Sequence, residues 1–294
     1  MSRAKRNAAA EEYFRRAPNY SAKAIEAIRS RGKSKLAEGH RGGALMTYIA
    51  DLLESAHKFA LPYGGKLFDT TSEQMLAECR LPFRVCAFEY EMEQEGTGVA
   101  TGLPVRSDKT IVLAVEDSDA SRTRLFPIVH TRDGGWQMTL VAIELVREDD
   151  ENIGVFFRHM TDLHWGRADD IPAQQHLEEY AREAFGYEIR AITQACAALA
   201  CTNVTTEILR PNREARAARP ASTLFDYHVL VLDPSRVREP GEDRGGTHAS
   251  PRTHLRRGHI RRHPTAGRIW VNQCVVAPTS IGTVNKDYRV KRPS

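Results

Sequence analysis

The chain has 294 residues and a mass of 33.0 kDa, which allows one large domain or two ordinary ones. With 41% hydrophobic and 27% charged residues, the composition fits a packed core under a charged surface, and it excludes collagen-like, coiled-coil and disulfide-rich miniproteins. The formal net charge of +4 is unevenly distributed. Residues 1–41 carry 11 Lys and Arg against 4 Asp and Glu, and residues 244–294 carry 11 against one acid, so the middle of the chain is acidic.

Neither a membrane span nor a disulfide framework is expected. The longest weakly polar stretch, residues 195–201, is far shorter than the roughly 20 residues that cross a bilayer. The polar N-terminus leads into no apolar signal core, so we expect a cytoplasmic protein without membrane contact. The number of cysteines is odd and no CxxC motif occurs, so we expect reduced, mostly buried thiols. These residues are Cys79, Cys86, Cys196, Cys201 and Cys274.

The first half of the chain predicts helices followed by strands. Apolar residues at helical spacing predict helices over residues 21–29, 45–59 and 72–80, with a basic loop around Gly32 between the first two. Alternation of apolar and polar residues then predicts strands over residues 83–92, 110–116, 125–129, 135–147 and 155–157. A meandering, mostly antiparallel sheet is the simplest interpretation.

The second half begins with the strongest predicted helix, residues 172–201, which is rich in alanine. Further strands are predicted over residues 223–232, 268–277 and 282–290. We therefore expect an α+β fold, with helices packed on a mainly antiparallel sheet and a small C-terminal β-rich module. The expected organisation is a flexible basic arm (1–20), a core domain (21–202), an Arg/Ala/Pro linker (203–221) and a basic module (222–294).

The most unusual segment, residues 247–263, contains four of the eleven histidines and five arginines. No Asp or Glu occurs from Arg244 through Lys286, so these guanidinium groups lack local carboxylate partners. The turn Pro264-Thr265-Ala266-Gly267 predicts a hairpin that pairs residues 259–263 with residues 268–272.

In this hairpin, His259, Arg261 and His263 share one face, whereas Ile260 and Arg262 lie on the other. Arginine suits phosphate because its planar fork donates two parallel hydrogen bonds, and histidine can gain a proton near neutral pH. The sequence thus predicts binding to the phosphate backbone of RNA or DNA. The expected contacts are Arg252, Arg256, Arg257, His259, Arg261, Arg262 and Arg268. The alternatives are a solvated basic ribbon and a ribbon docked on the acidic middle of the chain.

A metal-independent ribonuclease is a further hypothesis for the same segment. Such an enzyme needs a general base, a general acid and a cation, and His254, His259 and Arg257 have the right chemistry, with Tyr288 as a second acid. The two histidines are five residues apart, so only a turn at Gly258 would bring them together.

Metal binding is disfavoured, and we predict no metal site and no cofactor. The histidines His248, His254, His259 and His263 with Cys274 include an H-x3-H pair, but the CxxC half of a zinc finger is absent and the nearby arginines repel a dication. The acidic stripe Glu89, Glu91, Glu93 and Glu95 offers oxygen ligands for Mg²⁺ or Ca²⁺. A stripe of this kind is more typical of the wet face of an edge strand.

Several motifs are shared with a known group of sequences. They are Leu81-Pro82-Phe83, Phe88-Glu89-Tyr90, residues 200–204, residues 247–252, His254-Leu255-Arg256-Arg257-Gly258-His259, Ile269-Trp270-Val271 and residues 282–288. On these residues the chain resembles a family of uncharacterised proteins encoded by tailed phages and prophages, clearly over the C-terminal third and loosely elsewhere. The resemblance implies a phage origin and transfers no catalytic residue.

A phage origin favours two roles, the handling of nucleic acid and interference with a host or defence protein. The basic hairpin fits the first role directly. For the second, it would capture an acidic surface, or the acidic segments 89–95 and 144–151 would imitate DNA phosphates. The sequence leaves the oligomeric state open.

Overall fold

A computed structural model describes residues 18–40, 42–69, 71–97, 104–139, 141–148, 152–160, 184–210, 224–232, 254–256, 259–265, 267–271, 274–276 and 289–290. In this part of the chain the helices are α1 (Tyr20–Ala37), α2 (Gly42–Ser55), α3 (Glu73–Ala77) and α4 (Gly186–Leu199), with a 3-10 turn at Tyr63–Gly65. The strands are β1 (His57–Ala60), β2 (Val85–Thr97), β3 (Pro104–Glu116), β4 (Arg122–Thr131), β5 (Gly135–Met138), β6 (Val141–Arg147), β7 (Ile153–His159), β8 (Val204–Leu209), β9 (Tyr227–Leu232), β10 (His254–Arg256), β11 (His259–His263), β12 (Gly267–Val271), β13 (Cys274–Val276) and β14 (Arg289–Val290). The predicted α+β class is confirmed.

In the described residues a ten-stranded sheet forms the centre of the fold, in the order β14-β9-β1-β2-β3-β4-β6-β7, with β5 on β4 and β8 on β9. Its pairs are mainly antiparallel, as predicted, but β1 runs parallel to both β2 and β9. The C-terminal strands also form two small antiparallel sheets, β10 with β13 and β11 with β12. Strand β9 belongs to the large sheet, so this part of the predicted C-terminal module shares a core with the preceding chain.

Each face of the sheet is covered. One hydrophobic cluster joins α1 and α2 to inward side chains such as Ile111, Phe126 and Ile128. The opposite cluster joins α4 to side chains such as Phe88, and it includes Trp270 of β12. The α1–α2 pair and the β11–β12 hairpin therefore contact opposite faces of one sheet.

Helix α1 is longer than predicted, because it continues through Gly32 to Ala37 instead of ending near residue 29. The glycine does not break the helix, since it lies where α1 crosses α2. A Cβ atom added at Gly43 of α2 would approach the Gly32 carbonyl oxygen to 2.5 Å. The two glycines allow this close approach of the two backbones.

Other predicted boundaries differ from the structure. Helix α2 ends at Ser55, and the predicted helical residues 57–59 belong to β1. The strand predicted over 135–147 is divided into β5 and β6, which pair with different parts of β4 on either side of Pro127. Because proline has no N–H, the ladder on the β5 and β6 side of β4 is interrupted at this residue, whereas the ladder with β3 continues through it. The predicted linker 203–221 begins with β8, which pairs along the whole of β9.

Several predictions lie outside the described residues. They include most of the basic arm (1–17), the first part of the helix predicted over 172–201, residues 211–223 of the predicted linker, and residues 233–253 and 277–288. Within the described parts of the chain, none of the helices combines the length and apolarity needed to cross a membrane.

Candidate nucleic-acid interface

The predicted Arg/His hairpin is present, with a register one residue from the prediction. Residues 259–263 of β11 pair with residues 267–271 of β12, and Gly267 has a φ of 72° at the end of the turn. Ile260 lies opposite Trp270, and Arg262 lies opposite Arg268. Since directly opposed residues share a face, the predicted alternation is confirmed, and His259, Arg261 and His263 lie on the other side.

Trp270 attaches the hairpin to the core. Its side chain is 2% exposed and packs against Phe68, with the ring centroids 4.8 Å apart and the rings inclined by 59°. The Asn203 amide group accepts a hydrogen bond from the Trp270 backbone N–H and donates one to its carbonyl, both at 2.8 Å. The Thr202 backbone N–H donates to the Arg268 carbonyl at 2.8 Å. The hairpin is thus held by a buried ring and by hydrogen bonds that its backbone makes with the Asn203 side chain and the Thr202 N–H.

Two of the predicted phosphate contacts have a carboxylate partner. The Arg262 and Arg268 guanidinium groups both donate to Oε1 of Glu78, Arg268 at 2.7 Å. Like charges directly opposite each other across two strands repel, and the shared carboxylate offsets this repulsion. Glu78 lies 184 positions before Arg262, so the sequence around the hairpin, which contains no acids, gives no sign of this partner.

The remaining predicted contacts lie only partly within the described residues. Arg261 is exposed and has no ion pair in the described part of the chain, whereas His259 is half-buried. The backbone of Arg256 lies in β10, and Arg252 and Arg257 lie outside the described residues. Sequence reasoning missed Glu78 and Asn203, since nothing near either residue marks it as a docking group.

The ribonuclease hypothesis gains no support from the strand arrangement. His254 belongs to β10, which pairs with β13, whereas His259 belongs to β11, which pairs with β12. The two histidines therefore lie in separate small sheets. The proposed accessory groups Arg257 and Tyr288 lie outside the described residues.

The acidic stripe on β2 does not begin on an edge strand, because at Glu89 β2 pairs with β1 on one side and β3 on the other. Glu89 is fully buried whereas Glu91 is exposed, and a bulge between Glu91 and Gln94 interrupts the alternation. No group of three or more metal-ligating side chains occurs in the described part of the chain.

Glu89 acts as a substitute cap for α1. Asn19, which precedes the helix, makes no side-chain cap, and the Tyr20 and Ser21 backbone N–H groups donate instead to the Glu89 carboxylate at 2.8 and 3.2 Å. The hydroxyl groups of Ser21 and Tyr227 donate to the same carboxylate. Burial raises the pKa of Glu89, and these hydrogen bonds oppose the rise.

The second acidic segment predicted to imitate DNA phosphates, residues 144–151, also begins with a buried carboxylate. Glu144 on β6 is 3% exposed, and three arginines surround its carboxylate. They are Arg122 at 3.6 Å, Arg124 at 3.0 Å and Arg158 at 3.4 Å. Glu89 and Glu144 are therefore occupied by internal partners, which corrects the hypothesis that they present a DNA-like acidic surface.

Lys58 of β1 caps the C-terminal end of α2. Lys58 is 2% exposed, and its ammonium group donates to the carbonyl oxygens of Leu53, Glu54 and Ala56 at 2.6, 2.9 and 2.7 Å. It also lies 4.0 Å from the centre of the Phe225 ring. Burial lowers the pKa of Lys58 to about 8.

This pKa predicts a pH-dependent stability. Between about pH 8 and 10.5 the unfolded chain binds more protons at Lys58 than the folded chain, so Lys58 should contribute a rise of about 3 kcal/mol to the free energy of unfolding over the window. The buried thiols, whose pKa is raised, contribute in the opposite direction, so the Lys58 contribution is measured as the difference between wild type and Lys58→Met in urea denaturation at a series of pH values. Lys58→Met should lack this contribution, whereas the exposed-residue control Lys23→Met should follow the wild type. An equal slope in the wild type and Lys58→Met contradicts the assignment.

The described cysteines fit the predicted reduced state. Cys79, Cys86, Cys196 and Cys201 are free and buried. Burial raises the pKa of Cys86 and Cys201 to about 12, which keeps these thiols protonated and unreactive.

The candidate interface is therefore a hairpin fixed on the sheet by Trp270 and Asn203, with Arg261 exposed and Arg262 and Arg268 oriented by Glu78. This surface keeps a net positive charge, because the guanidinium groups outnumber the carboxylate that holds them. Comparisons of the chain with protein-family models, curated proteins and solved structures found no match.

Proposed function

We propose that this protein binds the phosphate backbone of nucleic acid through the β11–β12 hairpin. The observation that carries the proposal is the placement of exposed arginines on a hairpin anchored to the core. Arg261 is exposed without an ion pair in the described chain, and the Arg262 side chain remains 61% exposed beside Glu78. Anchored guanidinium groups lose little conformational entropy when they bind phosphate.

The pairing with Glu78 is compatible with this role. One carboxylate neutralises only one of the two guanidinium groups, so the cluster of Arg262, Arg268 and Glu78 keeps a net positive charge. A guanidinium has five N–H donors, and a single carboxylate oxygen leaves most of them available. Glu78 thus orients the two arginines, and the more exposed Arg262 is the better phosphate contact.

The other predicted contacts extend the same proposal along the chain. Arg252, Arg256 and Arg257 precede the hairpin in the sequence, and the proposal includes them as further phosphate contacts. The proposal includes the phage-type accessory role and a cytoplasmic location. Four buried free thiols support a reducing compartment.

The test is the salt dependence of binding for wild type and for Arg261→Gln/Arg262→Gln. Binding of labelled RNA and DNA oligonucleotides is measured by fluorescence anisotropy over a range of salt concentrations. If each arginine neutralises one phosphate, the double variant should reduce the steepness of log Kobs against log salt by about 1.8 for duplex DNA and by about 1.4 for single strands.

The matched control is Arg31→Gln/Lys33→Gln, which removes the same charge from exposed positions on α1, on the opposite face of the sheet. It should bind like the wild type. Equal binding by the hairpin variant and the wild type overturns the hairpin assignment, and the absence of salt-sensitive binding to any oligonucleotide overturns the proposed function.

A further inference from the structure

A second surface lies where the parallel strands β1 and β9 begin and the chain enters β2. His57 and Phe83 stack with their ring centroids 3.7 Å apart and their planes 11° apart. His228 lies 5.4 Å from Phe83 and 5.7 Å from His57. It stacks on Phe59 at 4.8 Å, so the rings form one continuous cluster.

The inner part of this ring cluster is buried and the outer part is open. Phe59 is 1% exposed and forms its floor, whereas Phe83 is 37% exposed and His57 is exposed. Ile208 of β8 lies directly opposite His228 and is 53% exposed. The cluster therefore presents ring and aliphatic surface to solvent and is not simply the margin of the core.

Arginines flank the exposed ring on the segment from Glu78 to Arg84. Arg80 is exposed, and its guanidinium is held by hydrogen bonds to the carbonyl oxygens of Ala77 and Cys79 at 3.0 and 3.1 Å. Arg84 is exposed and has no ion pair in the described chain. The surface thus combines open rings with fixed positive charge.

The same segment connects this ring cluster to the hairpin. Glu78 holds Arg262 and Arg268, and Phe83 lies five residues later. Five residues span at most about 18 Å, so the exposed ring and the hairpin arginines lie within the reach of a few nucleotides of one strand.

We propose that His57, Phe83 and His228 form a stacking site for an unpaired base, so that the ligand of the hairpin is single-stranded nucleic acid. This inference rests on the proposed function. Bases expose their faces only when they are unpaired and unstacked, and proteins bind such faces with exposed rings beside basic side chains. A duplex keeps its base faces covered and offers only phosphates to the arginines.

The protonation of His228 is compatible with stacking. Burial, with a smaller contribution from the neighbouring His57, lowers the pKa of His228. A neutral imidazole packs on Phe59 and Phe83 without burying a charge.

The experiment compares wild type with Phe83→Ala on three fluorescein-labelled probes, namely an oligothymidine, a single-stranded RNA and a DNA duplex of the same length. Wild type should bind the single strands more tightly than the duplex. Phe83→Ala should weaken single-strand binding between about fivefold and a hundredfold, the range for loss of one base stack, and leave duplex binding unchanged. Phe83→Trp should restore binding, because it restores a ring.

Tyr187→Ala is the matched control, since it removes an exposed ring on α4 that lies outside this cluster. It should bind all three probes like the wild type. The stacking site is overturned if wild type binds single strands and duplex with equal affinity and Phe83→Ala has no effect. In that case, weaker binding by the hairpin variant still supports the proposed function. If no probe shows salt-sensitive binding, the proposed function itself fails.

Discussion

Glu89→Ala should lower the free energy of unfolding by about 3–5 kcal/mol, the range for breaking a buried charge network. The substitution leaves the Tyr20 and Ser21 backbone N–H groups and the Tyr227 hydroxyl without the carboxylate to which they now donate. It also removes the negative charge that favours the buried Lys58 ammonium. Urea denaturation followed by circular dichroism measures the loss.

Glu91→Ala is the control on the same strand. Glu91 is exposed and accepts a hydrogen bond from the Tyr20 hydroxyl, so its removal should cost about 1 kcal/mol or less. Glu89→Gln should fall between the two, because an amide can accept only part of the present hydrogen bonds. A loss below about 1 kcal/mol for Glu89→Ala contradicts the capping role.

The Glu89 substitution also separates stability from binding. Its contacts are with α1 and with Tyr227, whereas the hairpin is fixed on the opposite core cluster by Trp270. Folded Glu89→Ala protein should therefore bind oligonucleotides as the wild type does. The α1 face of the sheet should thus contribute to stability without contributing to oligonucleotide binding.

Strand β2 shows where prediction from sequence ends. The alternation of Phe88, Glu89, Tyr90 and Glu91 predicts a strand, and the strand is present. Alternation also predicts one wet face, and Glu89 contradicts it, because α1 covers that face with a helix N-terminus from 69 positions earlier. Glu89 and Glu91 are identical in type, and only the tertiary packing separates a buried cap from an exposed carboxylate.

The hairpin shows the same division. Its pairing depends on a turn and on alternation within a dozen residues, so local sequence predicted it to within one residue of register. Its attachment depends on Glu78 and Asn203, which lie 184 and 67 positions away from their partners Arg262 and Trp270. Local sequence therefore identified the basic surface, and only the fold could show that Glu78 orients part of it.

Trp270→Ala should lower the free energy of unfolding by about 3–5 kcal/mol, the cost of truncating a large buried ring. The cavity would open against Phe68, and the hairpin would lose the side chain that fixes it to the core. Hydrogen exchange should accelerate in β11 and β12 more than in α1, because α1 packs on the other face of the sheet.

Trp270→Ala should also weaken oligonucleotide binding, unlike Glu89→Ala, since a loosened hairpin no longer presents Arg262 in the position set by Glu78. Tyr187→Ala controls for the loss of an aromatic ring, because Tyr187 is 46% exposed. Asn203→Ala tests the attachment without a large cavity, since it leaves the Trp270 backbone groups unpaired at a cost of about 1–3 kcal/mol. If Trp270→Ala destabilises the protein while hairpin exchange and oligonucleotide affinity stay as in wild type, Trp270 stabilises the core without holding the interface. If both change together in Trp270→Ala and in Asn203→Ala, anchoring of the hairpin is what makes its arginines an effective phosphate site.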